Sequence, residues 1–177
     1  MDLVATLDDR EVQALITRVA GKVGNMKPVM TRIGAFYERR VLENFKNESA
    51  PDGTAWKPLA QVTMMMGLAK QKGWKGNGGL SARGKRYIQG KRILREKGDL
   101  EGSIHFQADN DSVTIGSSGS IPYAAIQQLG GKAGRGLKVT IPAREYLAMN
   151  EGQELTLADQ DRNWIMDLLR EEILEWK

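Results

Sequence analysis

The sequence predicts an α+β fold: N-terminal and C-terminal helices packed on a small antiparallel sheet, with a long basic Gly-rich insertion. Three observations predict it. Apolar residues recur at helical spacing at both ends of the 177-residue chain. In the middle the apolar period drops to two, as a half-buried strand requires. Between these regions lies a stretch without clear period, where Gly, Lys and Arg cluster. The length suits one domain over residues 1–177, with the insertion at about 64–97.

The first helix is expected over residues 8–24, where Val12, Leu15, Ile16, Val19 and Val23 share a face and Gly24-Asn25 stops it. Pro28 suits a helix's first turn. From there Val29, Ile33, Phe36, Tyr37, Val41 and Phe45 run along one side of the longest helix, residues 28–47. Pro51-Asp52-Gly53 is a turn, since proline presets φ and glycine accepts positive φ. Trp56 follows, expected to fold back onto the long helix, with a subunit contact as its other role.

Residues 60–97 hold seven glycines and weak periodicity. A structureless loop of that length is uncommon in a compact domain, so a mobile arm or an insertion ordered by a partner is expected. Met64, Met65 and Met66 could pack adaptably against an apolar surface. Regular structure is expected to resume at residues 92–95. Ile104, Phe106 and Ala108 then alternate with His105 and Gln107, Asp109-Asn110-Asp111 turns the chain, and Val113 and Ile115 return it as a hairpin. A short helix follows from Tyr123 to Leu129, stopped by Gly130-Gly131. Leu137, Val139 and Ile141 predict a third strand closed by Pro142, and no fourth strand is legible. The last helix opens at Thr156, whose spacing to Asp159 fits a capping box. Its apolar face runs through Trp164, Ile165, Leu168, Leu169, Ile173 and Trp176. Trp176 is hard to bury in a small monomer, which makes it a candidate subunit contact.

The net charge is +4, unevenly placed. Residues 67–97 carry ten Lys or Arg against Glu96 alone, a segment of +9 that leaves the rest of the chain at −5. With no cysteine, disulfides and thiolate metal sites are excluded. No apolar run approaches a membrane span of roughly 18 residues, and early acidic residues argue against a signal peptide. The single His105 is expected on the solvent side of its strand. Residues 79–85 have the G-x-x-x-x-G-K skeleton of a phosphate loop. Arg86 stands where the magnesium-binding Ser or Thr belongs, and no buried strand precedes the loop. No catalytic residue, metal ligand or cofactor site is nominated, and no enzyme is expected.

Four short segments stand in fixed order: PDGTAWKPL at 51–59, GDLEGSI at 98–104, PYAAIQQLGG at 122–131 and IPAREYL at 141–147. Together they resemble the virion morphogenesis (tail completion) proteins of Mu-like tailed phages and prophages, over about residues 30–150. Two departures stand out: Glu145 and Tyr146 replace a common Pro and Phe, and Gln127 stands where histidine is frequent. The resemblance implies a structural protein that completes or terminates the tail and takes part in head–tail joining as a hexameric ring. Its expected place is the tail or neck of a virion assembled in the host cytoplasm. The expected partners are further copies of itself, tail-tube proteins and head–tail connector proteins, with a DNA contact in the lumen also considered.

Candidate subunit-interface residues are Trp56, Tyr123, Arg144 and Trp176. For Arg144 a local salt bridge or helix-end contact is the competing role. Candidate contacts to a partner or to DNA are Lys70, Lys72, Lys75, Arg83, Lys85, Arg86, Lys91 and Arg92. The alternative function is a nucleic-acid-binding module using residues 67–97, because cations that meet phosphates release counterions. Trp74 and Tyr87 are its only aromatic side chains, a sparse stacking platform.

Overall fold

Met26 and Phe45, near the two ends of one long helix, lie in two separate apolar clusters that together make the core. The computed structural model describes residues 3–5, 10–151 and 154–175. In chain order these form β1 (Leu3–Ala5), α1 (Arg10–Val23), α2 (Lys27–Asn47), α3 (Gln61–Lys70), α4 (Ala82–Gly90), β2 (Ile104–Ala108) and β3 (Val113–Ser117). Then follow α5 (Ala124–Leu129), β4 (Gly131–Ala133), β5 (Val139–Ile141), β6 (Met149–Glu151), β7 (Glu154–Thr156) and α6 (Asp159–Glu175). The fold is α+β, as the two periodicities require.

Helices α1, α2 and α6 pack together through Val19, Met26, Met30, Ile33, Ile165 and Leu169, all buried. Farther along α2, Tyr37, Val41 and Phe45 join Trp56, Tyr146 and Leu147 in the second cluster. The helix sits directly on the β2–β3 hairpin. A Cβ on Gly34 would stand 2.2 Å from the ring of Phe106, so glycine is what lets α2 lie that close. The hairpin pairs Phe106 with Ile115 and turns His105 outward, as alternation predicts.

The sheet contains a strand that the pattern did not reveal. β1 pairs antiparallel with β3, giving the order β1-β3-β2. Three residues are too few to display a period. The strand expected around Leu137, Val139 and Ile141 is only partly as read. Val139–Ile141 pairs with Gly131–Ala133 in a separate two-stranded ribbon, and Leu137 lies in a 3-10 turn. Leu137 and Val139 stay exposed, so their alternation marks a surface. The capping box is also corrected. Thr156 pairs with Met149 in the β6–β7 hairpin, and the carbonyl of Ala158 receives the first amides of α6, from Asp161 and Arg162.

The insertion, expected as a mobile arm or a segment ordered by a partner, contains α3 and α4 as a helical hairpin. Three of its glycines, Gly67, Gly73 and Gly84, are packing positions. A Cβ on Gly67 would meet the Tyr87 hydroxyl, and one on Gly84 would lie 2.2 Å from the carbonyl oxygen of Gly73. Between α3 and α4, Trp74 bridges to Leu80 and the Lys75 amide donates to Gly79 O at 2.7 Å. Ser81 caps α4, its Oγ accepting from the Gly84 amide at 3.1 Å. The G-x-x-x-x-G-K stretch is therefore a turn and a capped helix start, with the Gly84 and Lys85 amides already bonded to Ser81. Residues 92–95 form no regular element. Ile93 and Leu94 instead anchor the hairpin's return to the core.

Candidate functional site

Residues 144–148 run through the core outside any regular element, so their backbone groups need partners from side chains. The surrounding helices and the segment that carries Trp56 supply them. Asn44 Nδ2 donates to Tyr146 O at 3.0 Å, Trp56 Nε1 to Glu145 O at 3.1 Å, and the Tyr37 hydroxyl to Leu147 O at 2.9 Å. Gln128, wholly buried, accepts the amides of Tyr146 and Leu147 on Oε1 and donates from Nε2 to Ala148 O at 2.7 Å. The Tyr146 hydroxyl closes the network on Ala124 O at 3.2 Å. Burial pushes the hydroxyl pKa of Tyr37 and Tyr146 well up, which keeps both as donors.

This buried segment fixes the wall of a solvent-open groove of about 660 Å³. The four segments that stood out in the sequence all reach it. Lys57 and Leu59 come from the first, Asp99 from the second, Tyr123 and Gln127 from the third, Ile141 and Arg144 from the fourth. The helical hairpin borders it at its root, through Val62 at the start of α3 and Lys91 and Arg92 after α4. What reads in the sequence as fold punctuation thus converges on one surface. The rim is mixed: Val62, Val139 and Tyr123 are 57%, 53% and 42% exposed, among cations. Partial burial, with the Asp99 carboxylate adding to it, pushes the Tyr123 hydroxyl upward.

Of the candidate interface residues, Tyr123 is exposed on the groove. Trp56 is not: it is buried, with its ring edge-on to Phe45 at 5.7 Å, so it packs within the subunit. Arg144 is corrected in the same direction, being 6% exposed. Its Nε donates to Lys57 O at 3.1 Å, with longer contacts to Pro58 O and Gln127 Oε1 at 3.4 Å. Burial lowers its pKa. It clamps the first, third and fourth segments together and shapes the groove from inside. Trp176 lies outside the described residues.

Among the basic candidates, Lys70, Lys72, Lys75, Arg83, Lys85, Arg86 and Arg92 are exposed, and none forms an ion pair among the described residues. Lys91 differs. It pairs with Glu96 at 3.3 Å and lies 5.6 Å from the Tyr87 ring centre, which ties the end of α4 to the loop that follows. No group of three or more His, Asp or Glu among the described residues could hold a metal ion.

Sequence reasoning missed Gln128, Asn44 and Val139. Asn44 carried a readable signal, a polar residue three positions after Val41 on the apolar stripe of α2. Gln128 did not, because its role depends on a chain segment that only the fold brings alongside.

Residues 7–173 match the phage virion morphogenesis family. The chain belongs to that family. It is also similar to Mu-like prophage FluMu G protein 2 of Haemophilus influenzae, 27% identical over 161 residues that cover 91% of this chain and 94% of that protein. No solved structure matches significantly. As a family member it is a structural phage protein of virion morphogenesis.

Proposed function

We propose that this protein completes or terminates the phage tail and takes part in head–tail joining, assembled as a ring of six copies at the upper end of the tail or in the neck. The observation that carries this reading is the convergence of the four family-like segments on one open groove whose rim is neither core nor fully polar. A ring subunit needs two different surfaces that meet head to tail, and the contact closes when the rotation permits. An exposed apolar rim among charges has the composition of such a contact. In this reading the protein is not an enzyme, and its partners are its own copies, tail-tube proteins and head–tail connector proteins.

Size-exclusion chromatography with light scattering, followed by negative-stain imaging, tests it. Rings of about 118 kDa are expected, six times the 19.6 kDa chain. A strictly monomeric protein at high concentration, alone and with tail tubes, overturns the reading.

A second reading rests on the unpaired cations of the α3–α4 hairpin and on Trp74, 43% exposed at its tip. They fit a contact to duplex DNA. Binding that weakens steeply between low and moderate salt, in a protein that never multimerises, favours it.

A further inference from the structure

We infer that the groove receives the C-terminal end of α6 from a second copy of this chain. The inference rests on the ring reading and names the two surfaces that meet in it. Three observations carry it: charge, apolar exposure and place.

The groove has an excess of three positive charges, with Lys57, Lys91, Arg92, Lys97 and Arg144 facing only Glu96 and Asp99. The end of α6 is the opposite. Glu171, Glu172 and Glu175 give residues 171–175 a formal charge of −3, of which Glu172 is already paired with Arg32 and after which Lys177 follows in the sequence. Acids at a helix C-terminus oppose the helix dipole, so that end gains from cations placed against it.

The apolar surfaces also match. Leu174 is 75% exposed, the most open large apolar side chain among the described residues. On the groove's rim Val62 and Val139 are more than half exposed, and Met65 continues the apolar surface of α3 beyond it. A helix is about 10–12 Å across and rises 5.4 Å per turn, so one to two turns occupy several hundred Å³. That is the scale of the groove.

Place decides for a second copy. Glu172 pairs with Arg32, which ties the end of α6 beside the first turns of α2 in its own subunit. The groove is built around residues 57–59, 91–99, 123–127 and 139–144. The wall of that groove packs at the other end of α2, where Trp56, Tyr146 and Leu147 meet Val41 and Phe45. One subunit thus offers a donor end and a separate acceptor groove, the heterologous geometry that a ring uses.

The chain has no cysteine, so introduced pairs report cleanly. Val139→Cys and Leu174→Cys are prepared separately, one with a size-shifting tag, mixed and oxidised. The mixed disulfide is expected as the main cross-linked product. In parallel, Glu171→Lys and Arg92→Glu are each expected to weaken assembly by about tenfold, and the double variant to recover most of the loss. All four positions are exposed, and circular dichroism checks that the variants stay folded. Rings that persist unchanged in both charge variants, without the mixed disulfide, overturn this docking and leave the ring reading standing. A wild-type chain that never assembles overturns both. Loss of duplex binding in Arg92→Glu with assembly intact assigns the groove to nucleic acid and also overturns the docking.

Discussion

The Oε1 atom of Gln128 accepts the backbone amide of Tyr146 at 3.0 Å in the interior, where both residues are wholly shielded from solvent. That one contact joins α5 to the irregular segment behind the groove. The amide of Leu147 shares the same oxygen at 2.9 Å. Asn150 returns a bond from its Nδ2 to Gln128 O at 2.9 Å. A hydrocarbon side chain of the same size cannot replace the bonds made by Oε1 and Nε2, whereas the Asn150 bond, made to the backbone carbonyl, survives such a change.

Gln128→Leu keeps the volume but strips partners from two buried amides and from the carbonyl of Ala148. Each orphaned group costs about 1–3 kcal/mol, so a loss of roughly 3 kcal/mol or more is expected. Urea denaturation checks it through a lower midpoint at an unchanged slope. A change below about 0.5 kcal/mol contradicts the network described above.

The helical hairpin gives a second prediction, local rather than global. Gly84→Ala would place a methyl group 2.2 Å from Gly73 O, a backbone atom that cannot swing aside. The turn between α3 and α4 must open. Hydrogen exchange is expected to quicken at the Gly84 and Lys85 amides, while amides of α2 and β2–β3 keep their protection. Uniform loss of protection across the chain would show that the hairpin does not behave as a separate unit.

The glycines of this hairpin show how far the sequence was legible. Helical and strand periods located α1, α2, α6 and the β2–β3 hairpin, because each buries one regular face. The same logic failed at residues 60–97, where Gly67 of α3 meets Tyr87, Gly84 of α4 packs on Gly73 in the turn, and side-chain periodicity is weak. Only Leu68 of α3 is buried, too little for a stripe to show. The site was legible in part. Tyr123 stands on the groove, whereas Trp56 and Arg144 serve it from behind through bonds to backbone carbonyls. Sequence spacing reports which side chains share an element's face, but not which distant carbonyl lies opposite, so Arg144 could be nominated without its clamp being seen.

Arg144 supplies the third prediction. Its guanidinium reaches Lys57 O, Pro58 O and Gln127 Oε1 from one planar fork, an arrangement that a lysine ammonium cannot reproduce. Arg144→Lys should therefore cost stability, about 1–2 kcal/mol by thermal or urea unfolding. It should also weaken assembly, since the clamp positions Lys57 and Pro58 on the groove. Variants that lose stability but assemble with wild-type affinity would limit Arg144 to folding.

Glu145 sets the pH dependence. Its Oε2 is buried without a hydrogen-bond partner among the described residues. Burial pushes its pKa above the ordinary 4.5, the backbone amide of Asn150 holds part of that back, and the Asp52 carboxylate adds to the rise. The folded state therefore binds this proton more tightly than the unfolded chain does. The group's favourable contribution is fully present below the ordinary value and is lost as pH rises through the raised one. Asp161, buried beside Arg40 at 2.8 Å, acts in the same direction because burial outweighs the pairing. Glu145→Gln keeps an acceptor for the Asn150 amide without the charge. It should be more stable than the wild type at pH 7, and the advantage should shrink as the pH falls toward 4.5. Urea midpoints of both proteins across that range measure it. An advantage that stays constant with pH would mean that folding does not raise the pKa of Glu145.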